Sequence, residues 1–376
     1  MSSAADAPLA GEPGDQELGS EDALLRRIGA RLAPLERERP WPQGSLGPGD
    51  DAALVPSTAR GVLVSTDAMG EGTDFLREWP AGVHTRGHDV GFKAAAQNLS
   101  DINAMGGDAS ALVCALSVPP TLSAHWVAGV AGGMVAAVRG LGAHWCRVAG
   151  GDLGSAEQIQ LTLTALGDPS ERGVLTRRVD PRLAPRWRHD GALLVHAGSG
   201  PGWAAAGLAL LLTPRTTLQR RWDALPALDR PTARELVRAV RAQLRPRPPL
   251  HLGPTAVGRL AALMDVSDGI GRDGARLAAA NDASVWVDPA WVSTQAAALN
   301  RVAALCQADP SAWVLGGGED YGLLGIAAGH DDVPEGFEVI GAIHSATQTP
   351  DAAARHGHDG RVVRLESSGW DHFTQD

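Results

Sequence analysis

Apolar positions along this chain recur with two periods. Leu24, Leu25, Ile28 and Leu32 fall at helical spacing behind Ser20, a residue suited to capping, so residues 21–35 are predicted as a helix. Residues 61–66 (GVLVST) read as a short apolar strand running into Asp67. A helix over 87–105 ends at Gly106-Gly107, and a buried strand over 111–118 is stopped by Pro119-Pro120. Ser123 caps a helix reaching about Arg139, and two strands follow near 146–149 and 158–166, with Gly150-Gly151-Asp152 between them. Past an Arg- and Pro-rich stretch at 168–190 come a strand at 192–196 and a helix at 203–212. Residues 220–247 read as an exposed helix face and a linker, with 245–249 extended. A strand at 262–266 leads into Ser267-Asp268-Gly269 and a helix to Ala280. Further strands are predicted at 285–287, 321–326 and 338–343. Strands and helices mix in both halves, which predicts an α/β (or α+β) class in two units. The expected division is a disordered tail at 1–20, a first domain at 21–168 and a second at 169–376.

Composition narrows the function. At 376 residues, 44% hydrophobic and 20% charged, the chain is globular and long enough for two cores. Its net charge of −10 argues against non-specific nucleic-acid binding, which needs basic phosphate contacts. Cys114, Cys146 and Cys306 are scattered and form no CxxC pair, which fits a reducing cytoplasm rather than a disulfide framework or zinc ribbon. The most apolar stretch, 203–212, is too short to span a bilayer, so no membrane partner is expected. The first 20 residues lack the basic and apolar regions of a signal peptide. Lys93 is the chain's one lysine; every other basic residue is arginine. A solvated surface position is the ordinary reading of such a lysine, with a phosphate or ion-pair contact as the alternative.

Carboxylates punctuate the predicted strand ends beside Gly, Ser or Thr. They are Asp50 and Asp51, Asp67, Asp101, Asp152, Asp265, Asp268, and Glu319-Asp320. Any one alone reads as a turn former or helix cap. Converging, they would repel by ~3 kcal/mol per pair at ~5 Å and an effective dielectric of ~20. Such a cluster needs cations or raised pKa values. Oxygen donors without a His/Cys pattern point to magnesium, whose other ligands are commonly phosphates. The chain has no Walker A loop, no HExxH and no HRD or DFG signature. Gly269 to Gly274 matches GxGxxG, with Asp288 ending the next predicted strand, so a nicotinamide-dependent oxidoreductase stands as an alternative. Asp265 and Asp268 weigh against it, because they would repel a pyrophosphate held without metal.

Six motifs, in order, resemble those of thiamine-monophosphate kinases. They are Gly49-Asp50-Asp51-Ala52-Ala53, Ser65-Thr66-Asp67, Asn98-Leu99-Ser100-Asp101, Gly150-Gly151-Asp152, Asp265-Val266-Ser267-Asp268-Gly269 and Gly318-Glu319-Asp320-Tyr321. The likeness runs from about residue 21 to Gly369-Trp370-Asp371-His372-Phe373. It implies a two-domain aminoimidazole ribonucleotide synthetase-like fold, with an N-terminal α/β domain that dimerises through its sheet and a C-terminal α/β domain. It implies transfer of the γ-phosphoryl group from ATP to thiamine monophosphate with several magnesium ions. Carried over by motif, Asp51, Ser65, Thr66, Asp67, Asp101, Asp152, Asp265 and Asp268 would hold metal. Gly151, Asp152, Arg177 and Ser267 would contact ATP, and Asp74, Glu319 and Trp370 the thiamine end. No general base is implied.

The chain departs from the family at three places. Asp74 stands where family members commonly carry His, residues 178–190 replace a Gly/Pro-rich stretch, and Gly322 replaces Glu. These departures touch the acceptor side, so a relative using ATP on another small molecule is an alternative. A non-catalytic nucleotide-binding protein is another.

Overall fold

The structure, a computed structural model, describes residues 21–40, 61–179, 187–188, 191–345 and 363–364. The tail at 1–20, Asp51 and Trp370 lie outside the described residues. The first unit runs α1 (Glu21–Glu38), β1 (Leu63–Gly70), α2 (Gly87–Ala104), β2 (Asp108–Val118), α3 (Ala124–Gly140), β3 (Arg147–Ser155) and β4 (Gln160–Asp168). The second opens with β5 (Ala192–Ala197), α4 (Trp203–Leu212), α5 (Arg215–Ala224), α6 (Ala233–Leu244), α7 (Leu252–Ala256), β6 (Ala262–Val266) and α8 (Ile270–Ala280). It closes with β7 (Ala283–Val287), α9 (Pro289–Ala297), α10 (Asn300–Cys306), α11 (Pro310–Gly316), β8 (Gly322–Ala327), β9 (Glu338–Ser345) and β10 (Val363–Arg364).

Each unit has its own sheet. The first has order β1-β4-β2-β3, antiparallel except for the parallel β2/β3 pair. One face is covered by α2 and α3 around Leu99, Leu112, Leu161 and Leu163; the other carries exposed Val64 and Val113. The second has order β10-β7-β9-β5-β8-β6 and is antiparallel throughout. Both of its faces are buried: Leu194 and Leu324 enter one core, Leu193, Val195 and Leu323 the other. That explains why β5 and β8 read as continuous apolar runs.

The antiparallel order disposes of the dinucleotide reading. A GxGxxG fingerprint works inside a parallel βαβ unit. Here β6 and β7, the strands flanking the Gly269–Gly274 segment, lie near opposite ends of an antiparallel sheet.

Helix α2 organises the molecule. It sits against the first sheet and α3, and its end reaches the second unit's core through Ala104. A Cβ at Gly91 would lie 1.9 Å from the Val130 carbonyl oxygen of α3, and one at Gly133 2.1 Å from that of His88. Glycines at these crossings let the helix backbones touch. The approach leaves α2 buried almost all round, including Asp89, Lys93, Asn98, Ser100 and Asn103. Buried polar groups require partners, and several of these find theirs in the second unit. Asn103 accepts from the Gly253 N–H at 2.9 Å and donates to the Pro249 carbonyl at 3.2 Å. The Arg245 guanidinium pairs with Asp89 at 2.5 Å.

Two predicted boundaries shift. The helix at the start of the described chain continues past Pro34 to Glu38. Strand β3 runs through Gly150-Gly151-Asp152, so this segment is part of a strand and not a loop between two. Its pairing on β2 shifts between Leu112 and Val113, opposite the Gly150 backbone at φ +147°.

Candidate active site

The site grows from three elements. Ser65 and Asp67 alternate onto the helix-covered side of β1, Asp101 projects from α2, and Asp265 lies near the end of β6 in the second unit. The Ser65 hydroxyl donates to Asp101, and the Ser100 hydroxyl to Asp265 at 3.1 Å. Burial, then the neighbouring Asp67 carboxylate, pushes the Asp101 pKa up to about 7; the Ser65 hydrogen bond and Arg177 offset part of this. Burial raises Asp67, against hydrogen bonds from Gln97 and Asp101. Burial, Asp101 and Asp273 raise Asp265 well above the ordinary carboxylate range. Three carboxylates from distant parts of the chain therefore sense one another.

The remaining predicted residues are spread around this cluster. Thr66 points to the other face of β1, where its hydroxyl meets the Leu163 carbonyl at 3.1 Å and Thr164 Oγ1 at 3.0 Å. Sheet register carries Asp67 across to Leu163, Cys114 and Gly151 in turn, so Gly151 lies three strands away, ~14 Å at ordinary strand spacing. Asp152 follows it and is exposed. A Cβ at Gly151 would lie 1.8 Å from the Cys114 carbonyl oxygen, which makes glycine obligatory there. Arg177 lies exposed on the loop after β4, with its carbonyl held by Asn281 Nδ2 at 2.8 Å. Asp268 is not part of the uncompensated group: it pairs with Arg276 at 2.6 Å, and its N–H donates to Asp273 at 2.8 Å.

The turn after β8's predecessor α11 carries backbone strain. Glu319 (φ +67°) and Tyr321 (φ +50°) occupy left-handed conformations that cost side-chain-bearing residues energy, and such residues concentrate at functional sites. The Glu319 N–H donates to the Ser267 carbonyl at 2.7 Å, and the Tyr321 N–H to the Val266 carbonyl at 3.0 Å. A Cβ at Gly318 would lie 2.6 Å from the Ser267 oxygen. These contacts clamp the turn to the Ser267 loop. Asp320 accepts from the Gly202 and Ala204 N–H groups at 2.5 and 2.9 Å, at the start of α4. Burial nonetheless pushes its pKa up to about 7. Tyr321 is buried, and after burial itself the carboxylates Glu319, Asp265, Asp67 and Asp101 raise its phenol, which places the turn beside the acidic cluster.

Asp74 and Lys93 each engage groups of the chain itself. The Asp74 carboxylate closes its own turn, accepting from the Gly70 N–H at 2.7 Å and the Thr73 hydroxyl at 2.8 Å. Lys93 is not solvated at all. It is 3% exposed and pairs with Glu319 at 2.5 Å. Gln243 of α6 supports the other Glu319 oxygen at 2.5 Å. For Lys93 the structure bears out the alternative reading, an ion-pair contact, over the solvated one; sequence reading missed Gln243 altogether.

Magnesium fits this donor set in one respect that is visible here. Asp67 Oδ2 is buried and has no hydrogen-bond partner among the described residues. Among the described residues no group of three His, Cys, Asp or Glu side chains is gathered tightly enough to hold a metal unaided. A hard cation here would complete its shell with water and phosphate oxygens, as magnesium does.

Comparison with known proteins places the chain in a family. The family "AIR synthase related protein, N-terminal domain" matches residues 49–168. The thiamine-monophosphate kinase of Mycobacterium tuberculosis (strain CDC 1551 / Oshkosh) is 32% identical over 333 residues, 88% of this chain and 89% of that protein. That of Corynebacterium glutamicum is 33% identical over 307 residues, 80% of this chain and 82% of that protein. Among solved structures, the thiamine-monophosphate kinase of Stenotrophomonas maltophilia K279a superposes with a TM-score of 0.63 at 28% identity, covering 87% of this chain and 94% of that one. The AaThiL structure complexed with AMPPCP and TMP has the same fold, with a TM-score of 0.63 at 22% identity over 91% of this chain and 96% of that one. On the strength of the Mycobacterium and Corynebacterium matches, this chain belongs to the thiamine-monophosphate kinase family.

Proposed function

We propose that the chain transfers the γ-phosphoryl group of ATP directly to the phosphate of thiamine monophosphate, giving thiamine diphosphate and ADP. The bond from the γ-phosphorus to the β,γ-bridging oxygen breaks, and one forms to an oxygen of the acceptor phosphate. The observation that carries this reading is the convergence of Asp67, Asp101 and Asp265 from both units without compensating lysines. Such a site suits phosphoryl transfer, which needs charge neutralisation and in-line positioning more than a strong base. Asp67, Asp101 and Asp265 would hold magnesium, and Ser65 and Ser100 orient two of these carboxylates through their hydroxyls. Magnesium would neutralise phosphate charge there. Asp152 and Gly151, across the sheet, and Arg177 would contact the nucleotide. Asp51 belongs to the same proposed set, outside the described residues.

Asp74 stays part of the proposed acceptor side, in place of the family's usual His. One of its carboxylate oxygens is engaged by its own turn, through the Gly70 N–H and the Thr73 hydroxyl. A homodimer built on the first sheet is part of the proposal, supported by exposed Val64 and Val113 on the face opposite α2. Among the described residues no helix is long and apolar enough to cross a membrane.

The test is incubation of purified protein with ATP, magnesium and thiamine monophosphate, measuring both products. Equimolar thiamine diphosphate and ADP are expected. ADP alone would contradict the acceptor and favour a relative acting on another small molecule.

A further inference from the structure

We infer that Lys93 is a positioning residue for the acceptor side of the reaction, holding the turn after β1 and the strained Glu319 turn at a fixed separation. The inference rests on the phosphotransferase reading above and adds a residue that the motifs do not assign. Three observations carry it.

The first is bonding. The Lys93 ammonium donates to the Asp74 carbonyl at 3.1 Å and pairs with Glu319 at 2.5 Å. One partner belongs to the first unit and the other to the second, so this single ion joins the two segments that the family resemblance gives to the thiamine end. The second is burial. The Lys93 side chain is 4% exposed at the seam between units, in a narrow cleft lined also by Met69, Asp74, Gln243 and Leu244. Burying an ammonium is costly unless it is paired and hydrogen-bonded, so the group has one stable arrangement. The third is strain. Glu319 stands at φ +67° between Gly318 and Asp320. A side chain on such a backbone stays in place only when its surroundings over-determine it. Lys93 and Gln243 take one carboxylate oxygen each.

Arginine is a poorer fit to this narrow site. A guanidinium is a planar fork suited to bidentate carboxylates, whereas Lys93 presents a compact point charge to a carbonyl on one side and a carboxylate on the other. That accounts for a lysine here in a chain whose other basic residues are all arginine.

The test compares full-length wild type with Lys93→Met, Lys93→Arg, Glu319→Gln and the Lys93→Met/Glu319→Gln double variant. Lys93→Met and Lys93→Arg should each raise KM for thiamine monophosphate at least tenfold while KM for ATP changes less than twofold. The double variant should be no worse than the poorer single variant, because both act through one contact. Unchanged kinetics in Lys93→Met, or equal rises in both KM values, would overturn the role. A second measurement does not depend on that variant folding. Native labelling with an amine-reactive succinimidyl ester, read by peptide mass spectrometry, reports the sole lysine. Labelling of Lys93 should be at least tenfold faster in Glu319→Gln than in wild type; equal rates would overturn the contact. Wild type that forms no thiamine diphosphate would overturn the reaction, and the acceptor role with it. Wild type that forms it, with Lys93 variants unaffected, would overturn the role of Lys93 alone.

Discussion

Asp265 and Asp268 are three residues apart, yet they sit in opposite electrostatic surroundings. Asp268 belongs to a knot with Asp273 and Arg276, in which the guanidinium lies 2.6 and 2.8 Å from the two carboxylates. Asp265 lies with Asp101 and Asp67, accepts a hydrogen bond from the Ser100 hydroxyl, and has its proton affinity raised by burial and then by neighbouring carboxylates. Asp268 has guanidinium partners from the chain itself; for Asp265, a cation from outside is part of the proposed function. A carboxylate's role is therefore set by what compensates it, and a motif in which both residues look alike does not separate them.

The sharpest way to break this contrast is Asp101→Asn. Turnover should fall by ~10²-fold or more, since loss even of groups supporting a metal ligand costs about 10–100-fold. Steady-state rates on folded variant check it. Next is Arg276→Met. It leaves Asp273 buried without its guanidinium partner and Asp268 with the more distant Arg272 at 4.0 Å, and should lower folding stability by about 1–3 kcal/mol. The figure is held down because Arg276 is 38% exposed. Urea denaturation measures it.

Third is the dependence of stability on pH. A carboxyl whose pKa rises on folding binds more protons folded than unfolded, so stability falls as pH rises between its two values. For Asp101 the window is 3.8 to about 7, and Asp67 and Asp265 act in the same direction. Metal-free protein should lose melting temperature from about pH 4 to 7, and magnesium should restore more of it at pH 8 than at pH 5. Asp101→Asn should flatten the curve. The smallest effect is that of Ser100→Ala, which removes the hydroxyl 3.1 Å from Asp265. It should cost about 1 kcal/mol in denaturation.

Much of the fold can be read from local pattern. The helix at 87–105 and the cap at Ser123 follow from periodicity and a side-chain acceptor, and both appear in place: α2 ends at Ala104, and Ser123 accepts the Trp126 N–H at 3.2 Å. Helices α9 and α11 escape a hydrophobic-period reading because they are short, yet each carries an Asp-Pro start. Asp288 and Asp309 accept the Ala290 and Ser311 N–H groups, so capping chemistry was the better guide there.

The acidic residues of the site are visible because glycine, serine and threonine surround them. Their partners are not. The burial of Lys93 against Glu319 and the support of Glu319 by Gln243 depend on contacts that no sequence window contains, and the pairing of Asp268 with Arg276 depends on the course of α8. The path of β3 through two glycines is likewise decided by pairing with β2, since glycine alone favours neither a strand nor a loop.

The most direct measurement is magnesium-dependent thermal stabilisation at pH 8 in the presence of a non-hydrolysable ATP analogue, comparing wild type, Asp101→Asn and Arg276→Met. Magnesium should raise the melting temperature of wild type and Arg276→Met by similar amounts and leave Asp101→Asn unmoved. Equal stabilisation of Asp101→Asn would contradict the assignment of the Asp67, Asp101 and Asp265 cluster as the place where metal and phosphate meet.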